Sequence, residues 1–219
     1  MQRILRENGL ILVMTSLFVL ALLGQIVTGW LEYNDQQIDH DGPTTDLRSY
    51  LTTGHFGEAL FENWESEFLQ MGVFVLLTVH LRQKGSPESK AIDGTESVDR
   101  EPDPRRSGAP WPVRAGGLTA KLYRHSLGIT LIGLFAVTFT LHVVSGAVEA
   151  SADQLAHGGT ALTPMDYLGT SRLWFESFQN WQSEFMSIAA LIGLSIVLRE
   201  KGSPESKPVD APNDETGGD

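Results

Sequence analysis

The chain has no cysteine. Disulfides, thiolate metal sites and cysteine nucleophiles are therefore excluded, and the redox compartment is left open. It also lacks a positive charge balance: 27 Asp and Glu against 16 Lys and Arg give a net charge of −11. Nucleic acid is recognised by a basic face, so no nucleic-acid partner is expected. The sequence contains no glycine-rich phosphate loop, no zinc helix motif and no nucleophile–base–orienter set. Those gaps weigh against an enzyme. What the chain does have is four strongly apolar segments, separated by polar stretches rich in Asp and Glu.

One stretch occurs twice. Asn63-Trp64-Glu65-Ser66-Glu67-Phe68, an apolar run and Leu81-Arg82-Gln83-Lys84-Gly85-Ser86-Pro87-Glu88-Ser89-Lys90 return as Asn180-Trp181-Gln182-Ser183-Glu184-Phe185, an apolar run and Leu198-Arg199-Glu200-Lys201-Gly202-Ser203-Pro204-Glu205-Ser206-Lys207. The offset is 117 without a gap, and 15 of the 28 positions are identical. The repeat predicts two copies of one helical hairpin.

Arg3 and Arg6 precede an apolar run from Gly9 to Leu31, long enough to span a bilayer, for which ~20 apolar residues suffice. A secretory signal is disfavoured, because the run is long and no small-x-small site follows. Its repeat partner, Ser126 to Val148, also lies inside the chain. The runs Phe68–Leu81 and Met186–Leu198 are shorter, so their helices must start earlier and carry polar residues into the membrane. The reading is an all-α integral membrane protein with four transmembrane helices, as two helical hairpins of parallel topology. Residues 1–90 form repeat 1, with helices at about 9–31 and 56–83, and residues 118–207 form repeat 2, with helices at about 120–149 and 171–200. Residues 91–117 and 208–219 are too rich in Pro, Gly, Ser and charge to order themselves, and read as a disordered cytoplasmic linker and a disordered acidic tail. Asp35, Asp39 and Asp41 do not follow the twelve-residue calcium-loop spacing and read as a solvated loop. Thr163-Pro164 reads as the cap and first residue of a short helix. With four spans, 14 of the 16 Lys and Arg residues fall on the side of the termini, which places both termini in the cytoplasm.

Glu67 is 15 residues before Arg82, ~22 Å along a helix, and therefore falls inside a hydrocarbon core ~30 Å thick. Glu184 is its equivalent. Asn63, Ser66, Glu67 and Gln70 share one helix face, as do Asn180, Ser183, Glu184 and Ser187. Gln25, Thr28, Gly29 and Glu32 form a second stripe, with His142, Ser145, Gly146 and Glu149 as repeat partners. Gln25 and His142 fall at a similar depth to the two acids. A cluster of Glu67, Glu184, His142, Gln25, Asn63, Asn180, Ser66 and Ser183 is thus a candidate ligand or ion site, since intramembrane carboxylates mark function. The alternatives are interhelical hydrogen bonding that serves only as glue, a proton or cation site, a metal site, and an organic or lipid ligand. Haem is disfavoured: His80 and His142 lie at opposite ends of their spans, and His125 sits at a helix start. Trp64 and Trp181 suit the interfacial aromatic belt.

In the repeated turn, Arg82, Lys84, Arg199 and Lys201 complement helix C-termini, and Gly85 and Gly202 suit helix caps. Neither explains the identity of Ser86, Glu88, Ser203 and Glu205. Arg82, Lys84, Ser86, Glu88, Arg199, Lys201, Ser203 and Glu205 are therefore a candidate cytoplasmic docking motif, with lipid headgroups as the alternative ligand. The Trp-x-Ser-Glu-Phe and Gly-Ser-Pro-Glu-Ser-Lys elements resemble those of an uncharacterised family of small bacterial membrane proteins, classed as a domain of unknown function. The resemblance covers both repeats, and implies four membrane helices and a bacterial inner membrane. It brings no activity, cofactor or catalytic residue with it. The expected function is non-enzymatic, in partner binding or membrane support. A proton- or cation-handling protein and an intramembrane metal or redox enzyme are the alternatives. No cofactor is expected; the expected partners are membrane lipid and a second copy or another membrane protein.

Overall fold

A computed structural model describes residues 2–40 and 42–217. Asp41 of the acidic loop and Gly218 and Asp219 of the tail lie outside the described residues. Among the described residues the fold is all-α, with no strand. The helices are α1 (Gln2–Asp39), α2 (Leu47–Tyr50), α3 (Gly54–His80), α4 (Trp111–Ala115), α5 (Gly117–Arg124), α6 (Ser126–Ala156), α7 (Pro164–Leu168) and α8 (Ser171–Val197). Two helical segments, Arg6–Asp39 and Ser126–Ala156, are long and apolar enough to cross a membrane. Leu10, Ile11, Leu17, Leu20 and Leu23 of α1 all stand exposed.

The chain divides into two compact units, Met1–Phe61 with Leu141–Leu173, and Glu62–Thr140 with Trp174–Asp219. In the first unit, small residues bring helices into backbone contact. A Cβ on Gly54 would lie 2.8 Å from the Ser145 carbonyl oxygen, and one on Gly57 would lie 2.8 Å from Ser145 Cβ. The start of α3 therefore packs directly on the end of α6, the close approach that small residues permit. Gly29 and Gly146 do the same for two buried tyrosines. A Cβ on Gly29 would overlap the Tyr50 hydroxyl, and one on Gly146 would lie 2.6 Å from the Tyr167 hydroxyl. Tyr50 and Tyr167 are 1 % and 0 % exposed.

Both tyrosines lie in the last turn of short capped helices. Asp46 accepts from the Arg48 and Ser49 amides, and Thr163 exchanges hydrogen bonds with Asp166. These local donors hold the Asp46 and Asp166 carboxyls below the usual carboxylate range. The loops before them are tied to the long helices. Asn34 donates to the Thr45 carbonyl at 2.9 Å and accepts its amide at 2.6 Å; Ser151 accepts the Leu162 amide at 2.8 Å. Asn34 and Ser151, like Thr45 and Leu162, are 117 apart.

In the second unit, Gly72 of α3 faces Leu131 and Ile132 of α6, and Leu131 is buried. Phe135 and Phe139 of α6 meet Trp181 and Trp174 of α8 with ring centroids 6.2 Å apart in each pair. Trp181 also packs edge-on to Phe178 at 5.4 Å. Trp181, which the sequence placed in an interfacial belt, thus has aromatic partners inside the protein.

Candidate functional site

Buried acids mark each unit, and each has charged or polar partners. In the first, Glu58 of α3 is 6 % exposed. Its Oε1 accepts from the Tyr167 hydroxyl at 2.8 Å, and its Oε2 accepts from Arg172 at 2.9 Å. Arg172 also reaches Asp153 at 3.0 Å. A carboxylate taken out of water is tolerable when its charge is paired and its lone pairs are occupied, and this one meets both conditions. His142, fully buried, brings a ring nitrogen within 4.8 Å of a Glu58 oxygen. Both belong to a group of His and carboxylate ligand atoms close enough together to hold a metal ion. On α1, Glu32 pairs with His55 at 3.2 Å, and the His55 ring packs against Tyr33 and Tyr50.

In the second unit, Glu65 of α3 is fully buried. Its Oε1 accepts from the Ser177 hydroxyl at 2.9 Å and from the Trp181 indole N–H at 3.3 Å. Both donors come from α8, so the carboxylate joins two helices.

The residues singled out from the sequence fall as follows. Gln25 and His142 belong to the first unit, where Gln25 donates to the Ala59 carbonyl at 3.5 Å. Asn63, Ser66, Glu67, Asn180, Ser183 and Glu184 belong to the second. Glu67 and Glu184 lie within electrostatic reach of one another. Glu67 and Asn63 are exposed, whereas Ser66 and Gln70 are buried. Ser66 and Ser183 each donate to the carbonyl three residues back, on Asn63 and Asn180, at 2.8 Å. Those two serines bond to their own helices.

Glu58 and Glu65 were missed because the sequence reading followed what the two copies share. Their repeat partners are Phe175 and Gln182. The signal that would have found them is their seven-residue spacing, two turns on one face of α3.

The repeated turns are built alike. Gly85 and Gly202 adopt φ of 87° and 91°, the left-handed region that glycine enters without strain. Ser86 and Ser203 accept the Glu88 and Glu205 amides at 3.1 and 3.2 Å. Ser89 and Ser206 accept the Gln83 and Glu200 amides at 2.8 and 2.9 Å. The two serines of each copy are therefore required to close the turn after the helix.

The final lysines fasten the chain that follows. Lys90 pairs with Asp99 at 2.6 Å, which lowers the Asp99 pKa. Lys207, 3 % exposed, donates to the Pro212, Asn213 and Glu215 carbonyls, and its burial pulls the ammonium pKa down. The tail returns to the first turn, where Gly85 donates to Thr216 at 2.7 Å and Gly217 to the Ser86 carbonyl at 3.1 Å. Lys84 lies 3.7 Å from Asp214, and Arg199 binds the Pro208 and Ala211 carbonyls. Lys201 is exposed.

The two glutamate side chains take no part in closing the turns. They lie close to each other, and burial together with the neighbouring Glu205 pushes the Glu88 carboxyl up to about 7. Glu88, Ser86, Ser89, Arg82 and Gln83 also edge a cavity of about 280 Å³ between α3 and α8.

These features describe an all-α protein with two helices able to cross a membrane and acids buried between its helices. Over residues 1–218 the chain matches the family described as a domain of unknown function, DUF6766, and it belongs to that family. No curated protein and no solved structure matches it.

Proposed function

We propose that this is a four-span protein of a bacterial inner membrane, built from two hairpin repeats of parallel topology, with both termini in the cytoplasm. Its role is non-enzymatic: the paired cytoplasmic turns form a platform that binds a partner or supports the membrane. The observation that carries this reading is the division of labour inside the motif. Serine and glycine close each turn and lysine fastens the chain beyond it, whereas Glu88 and Glu205 do neither and face each other. Four spans are supported by contacts that recur 117 residues apart, the two glycine–tyrosine contacts among them. Asn8 and His125, also 117 apart, both leave helical geometry, at φ −132° and −116°. Cysteine scanning with membrane-impermeant reagents tests the topology. Labelling at positions 84 and 201, both exposed, only after the inner membrane is opened is the expected result, and labelling from outside refutes it. Affinity capture with and without Glu88→Ala and Glu205→Ala tests the platform.

A second reading, proton or cation handling, is favoured by the buried Glu65 and by the proximity of Glu67 and Glu184. It predicts pH-driven flux in proteoliposomes, lost in Glu65→Gln. Vesicles that stay silent over a wide pH range exclude it.

A further inference from the structure

The cavity of the second unit has a definite shape. Its α3 wall is Gln70, Val73, Phe74, Leu77, Thr78 and Leu81, and its α8 wall is Phe185, Ile188, Ala189 and Ile192. On each helix these positions follow the three- and four-residue steps of a single face. From Gln70 to Leu81 the wall runs roughly 16 Å at 1.5 Å per residue. About 280 Å³ spread over that length makes a narrow slot. An extended hydrocarbon chain matches this length and this apolar lining.

The two ends of the slot differ. The Gln70 end is apolar on most sides. The other end opens at the repeated turn, edged by Arg82, Gln83 and Glu88. Arg82 is exposed and uses one guanidinium nitrogen on the Val79 and Leu81 carbonyls, at 3.3 and 3.1 Å. That holds the group at the rim with its fork directed by the end of α3, a geometry suited to a phosphodiester. Glu88 opposes a phosphate there less than an ordinary glutamate would, because burial and the neighbouring Glu205 raise its carboxyl to about 7.

We propose that this slot binds one acyl chain of an inner-leaflet anionic phospholipid, with Arg82 at its phosphate. The inference rests on the four-span reading above, which puts the Arg82 end at the cytoplasmic membrane boundary. The full-length chain is reconstituted in nanodiscs of phosphatidylglycerol or phosphatidylcholine, each doped with the same lipid carrying a diazirine near the acyl terminus. Photolabelling followed by peptide mapping should mark 73–78 and 185–192 above the other apolar helix faces, such as that of α1. Native mass spectrometry should show one phosphatidylglycerol retained per chain. Val73→Phe and Ala189→Trp, which fill the slot from opposite walls, should each cut retention by about ten-fold or more, since displacing only two methylenes forfeits ~1.6 kcal/mol. Arg82→Gln should reduce the preference for phosphatidylglycerol over phosphatidylcholine about five-fold, the effect of one basic side chain at an anionic surface.

Uniform labelling of every lipid-facing helix overturns the proposal, as does retention unchanged in both filling variants, or a groove crosslink to a second copy. The labelling arm uses the wild-type chain and holds even if both variants misfold. Alkaline carbonate extraction separates the two levels. A chain washed off the membrane refutes the four-span reading and the slot together. A chain that stays in the membrane with an unlabelled slot refutes the slot alone.

Discussion

Replacing Glu88 with Gln isolates the contact between the two turns. Glutamine keeps the size but cannot ionise. In the wild-type protein the Glu88 carboxyl is raised from 4.5 to about 7. A group with a raised folded-state pKa gives stability that is fully present below its unfolded value and is lost as pH rises through the folded one. Wild-type stability from this source should therefore decline between about pH 4.5 and pH 7 and then level off. At ~1.4 kcal/mol per tenfold change in proton affinity, the ceiling is about 3 kcal/mol. The pair is partly open to water, which screens it, so about 1–1.5 kcal/mol is the expected effect. For a chain of this size that is roughly 3–5 °C in melting temperature. Melts of the two proteins in detergent should coincide at pH 5 and separate by that amount at pH 8, with Glu88→Gln the more stable. The difference between the curves matters, because other carboxyls change the absolute slope. Asp46, Asp99 and Asp166 have lowered values and act on the acid side. Parallel curves from pH 5 to pH 8 would refute the reasoning.

Other substitutions follow from the packing. Gly146→Ala drives a methyl group into the Tyr167 ring and should cost about 1–3 kcal/mol, read as a lowered melting temperature; an unchanged melt would mean that Tyr167 moves freely. Glu65→Ala removes the acceptor of Ser177 and Trp181 and should cost about 1–3 kcal/mol, with a change in tryptophan emission. Glu67→Gln, at an exposed position, should stay within about 0.5 kcal/mol. Lys207→Met leaves three carbonyls without their shared donor, and hydrogen exchange at Gly85 and Gly217 should accelerate as the tail releases.

The sequence was readable wherever a local rule set the structure. Thr163 and Pro164 were recognisable as cap and first helical residue, and the structure has them so. The apolar runs beginning at Gly9 and Ser126 read as long helices, and α1 and α6 are long helices. Gly85 and Gly202 read as helix caps, but each lies five residues beyond the end of α3 or α8 and holds its positive φ in a separate turn. What was not readable is what crosses between elements. The partners of Glu58 lie 109 and 114 residues away, and those of Glu65 lie 112 and 116 away. No period or propensity carries such a distance. The serines of the repeated turn stayed unexplained from sequence for a different reason: their bonds are local, but they depend on a turn whose shape is fixed by the backbone of Gly85 and Gly202.

The partners of Glu58 and Glu65 make the two halves of the chain unequal. In the present chain, Glu58 and Glu65 lie in the first copy, and Tyr167, Arg172 and Ser177 lie in the second. Two first halves would bury four acids without Arg172 or Ser177, and two second halves would present those donors with no acid between them. The halves have become unlike gametes rather than twins, each fit to meet only the other. Coexpressed as separate polypeptides, residues 1–117 and 118–219 should recover a folded protein together, and neither should do so alone.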